Sequence, residues 1–140
     1  MKHKYILLIT VALIAIAGGI IYYAKQTNAP TSEASSTNQA YKDYSVDVMK
    51  AELLAGKRVV LFFYADWCPE CRAADEAFKK KADSIPETVT VLKAVYNADK
   101  DLERKYGVLS RHTFVYIDKD EKLINKWVSG DIAMMKMYVK

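Results

Sequence analysis

Apolar residues are distributed in two different ways along this chain. From Tyr5 to Ala24 they run without a charged side chain, whereas beyond residue 40 they come in short runs and periodic spacings broken by polar turns. The first stretch is long enough to cross a bilayer, which takes about 20 residues, and exceeds the roughly 7–15-residue apolar core of a secretory signal. An uncleaved N-terminal membrane anchor is therefore expected over residues 1–24, in preference to a cleaved signal. The best small-residue cleavage candidate, Thr27-Asn28-Ala29, is followed by the unfavourable Pro30, and no cysteine comes after the run to accept a lipid. Lys2 and Lys4 precede the span, only Lys25 lies close after it, and Tyr22 and Tyr23 suit its far interface. The positive-inside rule then puts the N-terminus in the cytoplasm and the rest of this single-pass protein outside the cell membrane. Residues 25–40, dominated by Thr, Ser, Asn, Ala and Gln, bury too little apolar surface to fold. They read as a flexible tether that holds the C-terminal hundred residues on the order of 20 Å from the membrane.

Residues 41–140 suffice for one modest core. Within them, Tyr44 to Leu54 reads as a helix with Val48, Leu53 and Leu54 as its apolar positions, ended at Gly56. Arg58 to Tyr64 is a continuous β-branched and aromatic run, the signature of a buried strand. Glu70 to Ala82 returns to helical spacing, with Cys71, Ala74, Phe78 and Ala82 on one face and Arg72, Asp75, Glu76, Lys79 and Lys80 facing elsewhere. A second buried strand spans Thr88 to Tyr96, and a short charged helix from Ala98 to Tyr106 is closed by Gly107. Thr113 to Ile117 and Lys122 to Val128 form an antiparallel pair around the polar turn Asp118-Lys119-Asp120-Glu121, which lacks an Asn-Gly signature. Asp131 caps a last helix with Ile132, Met135, Tyr138 and Val139 on its apolar side. From the strand at Arg58 onward, this is an α/β chain of order β-α-β-α-β-β-α.

Charge changes the picture little. The net charge is +4, but from Tyr41 onward eighteen Lys and Arg face sixteen Asp and Glu. No nucleic-acid partner is expected, and Lys79-Lys80-Lys81 reads as a solvated helix face. The chain has two cysteines, too few for a disulfide-built scaffold.

Those two cysteines, Cys68 and Cys71, lie in Trp67-Cys68-Pro69-Glu70-Cys71, at a strand-to-helix junction. Pro69 suits the first helical position, where its missing N–H and fixed φ cost nothing, so Cys68 falls at or near the N-cap. The positive end of a helix favours a thiolate and lowers a cysteine pKa from about 8.5 to roughly 3.5–7.5. Residues three apart on a helix can be bridged, since a disulfide needs Cα atoms roughly 4.4–6.8 Å apart. The pair is thus suited to a dithiol–disulfide cycle that needs no further cofactor. A purely structural disulfide would constrain the unfolded chain little across so short a loop. A zinc site wants about four ligands, and beyond this pair the domain offers one histidine, His112, so no metal centre is assigned.

The stretch Tyr64-Ala65-Asp66-Trp67-Cys68-Pro69-Glu70-Cys71 resembles the thioredoxin superfamily. Its wording is similar to the periplasmic thioredoxin-like domain of transmembrane thiol:disulfide interchange reductases, and the likeness runs from about Val46 to the C-terminus. It implies a thioredoxin fold, a mixed central sheet flanked by helices. It also implies catalysis by Cys68 and Cys71, substrate contacts from Trp67, Arg111, His112 and Thr113, and tuning by Pro69, Glu70, Asp66 and Arg72. Two positions depart from the pattern. His112 stands where the family has a cis-proline; a cis bond before a non-proline residue costs about 2.5–4 kcal/mol, so a trans bond and an imidazole near the sulfurs are expected. A loop histidine with no redox role is the plain alternative. Phe62 stands where thioredoxins bury an aspartate as a proton relay, which leaves Glu70, Asp66 or water to carry the proton.

Together these readings describe a membrane-tethered thiol-disulfide oxidoreductase, a protein disulfide reductase or oxidase, acting on thiols or disulfides of exported proteins, with a possible electron-transfer partner in the membrane. The alternative is a thioredoxin-fold partner-binding module or copper chaperone, using Cys68, Cys71 and His112 or one of Met134, Met135 and Met137, because soft ligands suit Cu(I).

Overall fold

A computed structural model describes residues 40–140; the predicted anchor and most of the tether, residues 1–39, lie outside the described residues. The elements are β1 (Tyr41–Asp43), α1 (Val46–Leu54), β2 (Arg58–Tyr64), α2 (Pro69–Lys80), a 3₁₀ turn (Ala82–Ser84), β3 (Val89–Val95), α3 (Lys100–Tyr106), β4 (Thr113–Ile117), β5 (Leu123–Val128) and α4 (Ile132–Tyr138). Among the described residues no helix is long and apolar enough to cross a membrane.

The strands form one mixed sheet in the order β1-β3-β2-β4-β5. The pairings β1·β3 and β2·β3 are parallel, while β2·β4 and β4·β5 are antiparallel. β2 is central, and its unbroken apolar run reflects burial on both faces. Because side chains alternate across a strand, Val59, Leu61 and Phe63 enter a core with Met49, Leu53, Leu102 and Tyr106, beneath α1 and α3. Val60 and Phe62 enter the opposite core with Phe78, Phe114, Ile132 and Met135, beneath α2 and α4. Phe62 stacks on Phe114 with centroids 4.6 Å apart, Phe114 on Trp127 at 5.4 Å, and Trp127 on Tyr138 at 4.9 Å. Such pairs add about 0.5–1.5 kcal/mol each beyond the area they bury, and this ladder ties β2 through the sheet edge to α4.

Local chemistry accounts for the boundaries. Ser45, Asp99 and Asp131 cap α1, α3 and α4 through side-chain oxygens, and Gly107, at φ 60°, ends α3 in the left-handed conformation a glycine adopts without penalty. The turn at 118–121 needs no Asn-Gly because the Asp118 carboxylate accepts from the N–H groups of Asp120 and Lys122 at 2.9 and 2.8 Å.

Four expectations are corrected. β1 leaves no mark in the hydrophobic pattern: three residues are too few to show alternation, and they become a strand by pairing with Val91–Lys93. Ala40, assigned to the tether, is buried and its carbonyl accepts from Val91 N at 2.7 Å. Leu54 is not a core position but 89% exposed, and Met49 takes its place beside Leu53. Asp75 does not face solvent. It is 4% exposed, accepting from Tyr41 Oη at 2.6 Å and pairing with Lys79 at 2.6 Å and Lys93 at 3.5 Å. Burial alone would push its carboxyl up, but the bonds from Lys79 and Tyr41 and the Lys93 charge outweigh that and hold it below the ordinary value.

Candidate active site

The C-terminal end of β2 delivers the chain to the N-terminus of α2, where both cysteines sit. Cys68 is the N-cap, in extended backbone, and Pro69 occupies the first helical position. The Cys68 sulfur accepts from Cys71 N at 3.3 Å, which satisfies one of the helix's unpaired donors, and the Cys68 carbonyl accepts the first intrahelical bond from Arg72 N at 3.0 Å. The loop ahead is tied at both ends. Asp66 Oδ1 accepts from Trp67 N at 2.8 Å, and Arg72 Nη1 donates to the Asp66 carbonyl at 2.9 Å. Asp66 and Arg72 thereby shape the Trp67 loop.

Cys68 and Cys71 are free thiols, 1% and 0% exposed. Burial, then the hydrogen bond to Cys68, pushes the Cys71 thiol up to about 11, with backbone groups of Ala65 and His112 offsetting part of the effect. Cys68 Sγ lies 3.4 Å from Glu70 Oε2 and donates to it. The Glu70 carboxyl is held below its ordinary value first by its own backbone N–H and then by that thiol. It therefore stands ionised beside the sulfur.

The opposite wall is the loop before β4. The bond before His112 is trans, and the residue is left-handed at φ 59°. His112 N donates to the Phe63 carbonyl at 2.8 Å, and its own carbonyl accepts from Ser129 N at 2.8 Å. Its ring lies 5.8 Å from those of both Phe62 and Phe114, and Nε2 is 3.4 Å from the Gly130 carbonyl. One ligand atom from each of Cys68, Cys71 and His112 lies within 4.8 Å of the others. The imidazole expected near the sulfurs is there.

The remaining candidates divide. Trp67 is 59% exposed, with the Arg111 guanidinium 4.8 Å from its ring centroid, so the two form one surface beside the cysteines. Thr113 is buried and gives its hydroxyl to the Ser110 carbonyl at 2.7 Å; it braces the loop instead of facing the opening. An open cleft of about 550 Å³ runs from Glu70 and Ala73 past His112 and Gly130 to Met134. No sequence pattern marks Ser129 and Gly130 as site residues, whereas Met134 is among the candidate soft ligands. Gly130 ahead of the Asp131 cap is the one visible signal, and it marks a turn, not the closeness of that turn to His112.

Comparison with known proteins falls on the same residues. The family model described as Thioredoxin matches residues 34–137. Among curated relatives, Thioredoxin-1 of Drosophila melanogaster is 31% identical over 91 residues, covering 65% of this chain and 85% of that protein. Thioredoxin-T of the same organism is 37% identical over 65 residues, 46% of this chain and 41% of its own length. Among solved structures, the thioredoxin of Fasciola hepatica superposes with a TM-score of 0.56 at 25% identity, covering 72% of this chain and 93% of that one.

Proposed function

The chain belongs to the thioredoxin family, and from that membership we propose that it is a membrane-tethered thiol-disulfide reductase of exported proteins, working through Cys68 and Cys71 outside the cytoplasmic membrane. The observation that carries the chemistry is the placement of Cys68 at the N-cap of α2 with Cys71 N–H on its sulfur. As a thiolate, Cys68 attacks one sulfur of a substrate disulfide; the second substrate sulfur leaves as a thiolate and takes up a proton. Cys71, deprotonated, then attacks the Cys68 sulfur of the mixed disulfide, closes the Cys68–Cys71 bond and releases the substrate as a dithiol. Two electrons have moved from this chain to the substrate, and a membrane electron donor must return them. Trp67 and Arg111 offer the flat exposed surface on which a substrate segment docks, and His112 borders the cleft beside it.

The reducing direction is supported by what surrounds the sulfurs. A strong oxidant needs a stabilised thiolate in its reduced form. Here the Cys68 thiol gives its proton to a hydrogen bond with the Glu70 carboxylate at 3.4 Å, and burial disfavours a charge on Cys71. The tether and the outside location rest on the uncharged stretch from Tyr5 to Ala24 and the lysines before it.

The reduction potential of the Cys68–Cys71 couple tests the direction. A value near −270 mV supports a reductase, and one near −120 mV makes it an oxidase. Cys71→Ala tests the mechanism: it should accumulate mixed disulfides on Cys68, and a Cys71→Ala chain that turns over normally removes the resolving role. A reporter fused after Lys140 and found on the cytoplasmic side would remove the proposed topology.

A further inference from the structure

In the reduced chain, two sulfurs and an imidazole nitrogen converge to within 4.8 Å of one another. Each is held from outside the cluster. Cys68 and Cys71 are fixed by the first turn of α2, while His112 is pinned on one side by the Phe63 carbonyl and on the other by Ser129 N. The backbone there is left-handed, a conformation open to few residues with side chains, histidine among them. Metal–sulfur bonds of about 2.3 Å and metal–nitrogen bonds of about 2.0–2.1 Å place the ligand atoms of a three-coordinate ion roughly 3.5–4 Å apart. The cluster needs to close by about 1 Å, within reach of side-chain rotation.

We propose that reduced Cys68 and Cys71, with His112, form a Cu(I) site of two thiolates and one imidazole, which disappears when the cysteines close to a disulfide. The donor set suits a soft ion. Thiolates are soft ligands that favour Cu(I), and imidazole suits copper as well. Structural zinc closes its shell with four ligands, and among the described residues this cluster has three donors. Metal-bound histidines commonly give their second ring N–H to a carbonyl; His112 Nε2 sits 3.4 Å from the Gly130 carbonyl, and a proton held there leaves the lone pair on Nδ1. The cleft that His112 borders is lined by Met134, whose sulfur packs so closely on Gly130 that a Cβ there would lie 2.7 Å from it.

Loading costs the protein two thiol protons and moves no electrons. When a substrate disulfide oxidises the loaded pair, two electrons go to the substrate, whose two thiolates take their protons from water, the Cys68–Cys71 bond forms, and Cu(I) leaves with its ligands consumed. Metal binding and thiol-disulfide exchange therefore exclude each other. The Cu(I) site uses the reactive pair but does not depend on the direction of its redox function.

The test titrates the full chain in detergent micelles, reduced and anaerobic, with Cu(I) against a chromophoric Cu(I) chelator, and records X-ray absorption of the loaded protein. One equivalent should bind in the reduced chain and none in the disulfide form or in Cys71→Ser. The absorption spectrum should show two sulfurs and one nitrogen. His112→Asn, which keeps a residue tolerant of left-handed backbone, should weaken binding at least tenfold and remove the nitrogen. Absence of one-to-one binding overturns the inference, as does a linear two-sulfur spectrum in the native chain or tighter retention of Zn(II) than of Cu(I). The spectrum of the native chain decides even if the variant does not fold. Disulfide exchange measured on the same metal-free preparation separates the two readings: exchange without Cu(I) binding sinks the metal site and leaves the oxidoreductase intact.

Discussion

Loading Cys68 with a thionitrobenzoate group isolates the second half of the exchange cycle, because the coloured thiolate leaves when Cys71 attacks. The rate depends on how much Cys71 is ionised and on how nucleophilic its thiolate is. Burial first, and then the hydrogen bond to Cys68, move this thiol from an ordinary 9.0 to about 11. At pH 7 the ionised share then falls from about one part in 10² to about one in 10⁴. The more basic thiolate is also the better nucleophile: a Brønsted coefficient of about 0.4–0.5 across that interval returns roughly sixfold to tenfold. Population loss wins, and release at pH 7 should be about tenfold slower than for a thiol at the ordinary value. The logarithm of the rate should climb by about one per pH unit through pH 10 and level near 11. A plateau at or below pH 9 would refute the reasoning. Stability has a matching signature. The folded chain keeps the Cys71 proton where the unfolded chain gives it up, so nothing is lost below pH 9. Between pH 9 and 11 folding loses roughly 3 kcal/mol, at about 1.4 kcal/mol per pH unit.

Asp75→Asn removes the buried carboxylate that Lys93, Lys79 and Tyr41 share and should cost about 2–3 kcal/mol in urea unfolding at pH 7. Because the folded-state pKa is depressed, the native advantage exists above the ordinary carboxylate value and fades as pH falls below about 4; an undiminished gap at pH 3 would disprove it. Trp67→Ala deletes an exposed ring partnered by Arg111. It should change unfolding free energy by less than about 1 kcal/mol, yet raise KM for a disulfide-bonded protein substrate roughly tenfold to thirtyfold, as loss of a docking aromatic does. An unchanged KM would exclude the ring from docking.

The features legible in the sequence are those that local chemistry decides. β2 shows in the run from Val59 to Phe63 because both of its faces are covered, and the Cys68 cap shows because Pro69 comes next. What a helical wheel cannot show is a partner arriving from another strand. Asp75 reads as a solvent-facing charge beside Glu76 and Lys79, and only the parallel pairing of β1 with β3 brings Tyr41 and Lys93 to it. The closeness of His112 to the sulfurs is legible through family resemblance alone; the physical reason is the β2·β4 register, in which Phe63 pairs with Thr113 and leaves the Phe63 carbonyl to hold the residue before it. Ser129 and Gly130 complete that grip from 17 and 18 residues further on, beyond the reach of any local pattern.

Phe62 links the packing of the core to the surroundings of the site. It is fully buried, stacked on Phe114 and packed against Phe78 and His112. An aromatic side chain there extends the ladder that runs to Tyr138, and it brings no ionisable group to the core that holds Cys71. The carboxylate buried on α2, Asp75, is already committed to Tyr41, Lys79 and Lys93, so it offers Cys71 no free base. With apolar neighbours, the desolvation that lifts the Cys71 thiol is offset only in part, by backbone groups of Ala65 and His112. The same aromatic floor carries the His112 ring. Core packing at Phe62 and the slow resolving step predicted for Cys71 therefore belong to the same apolar cluster.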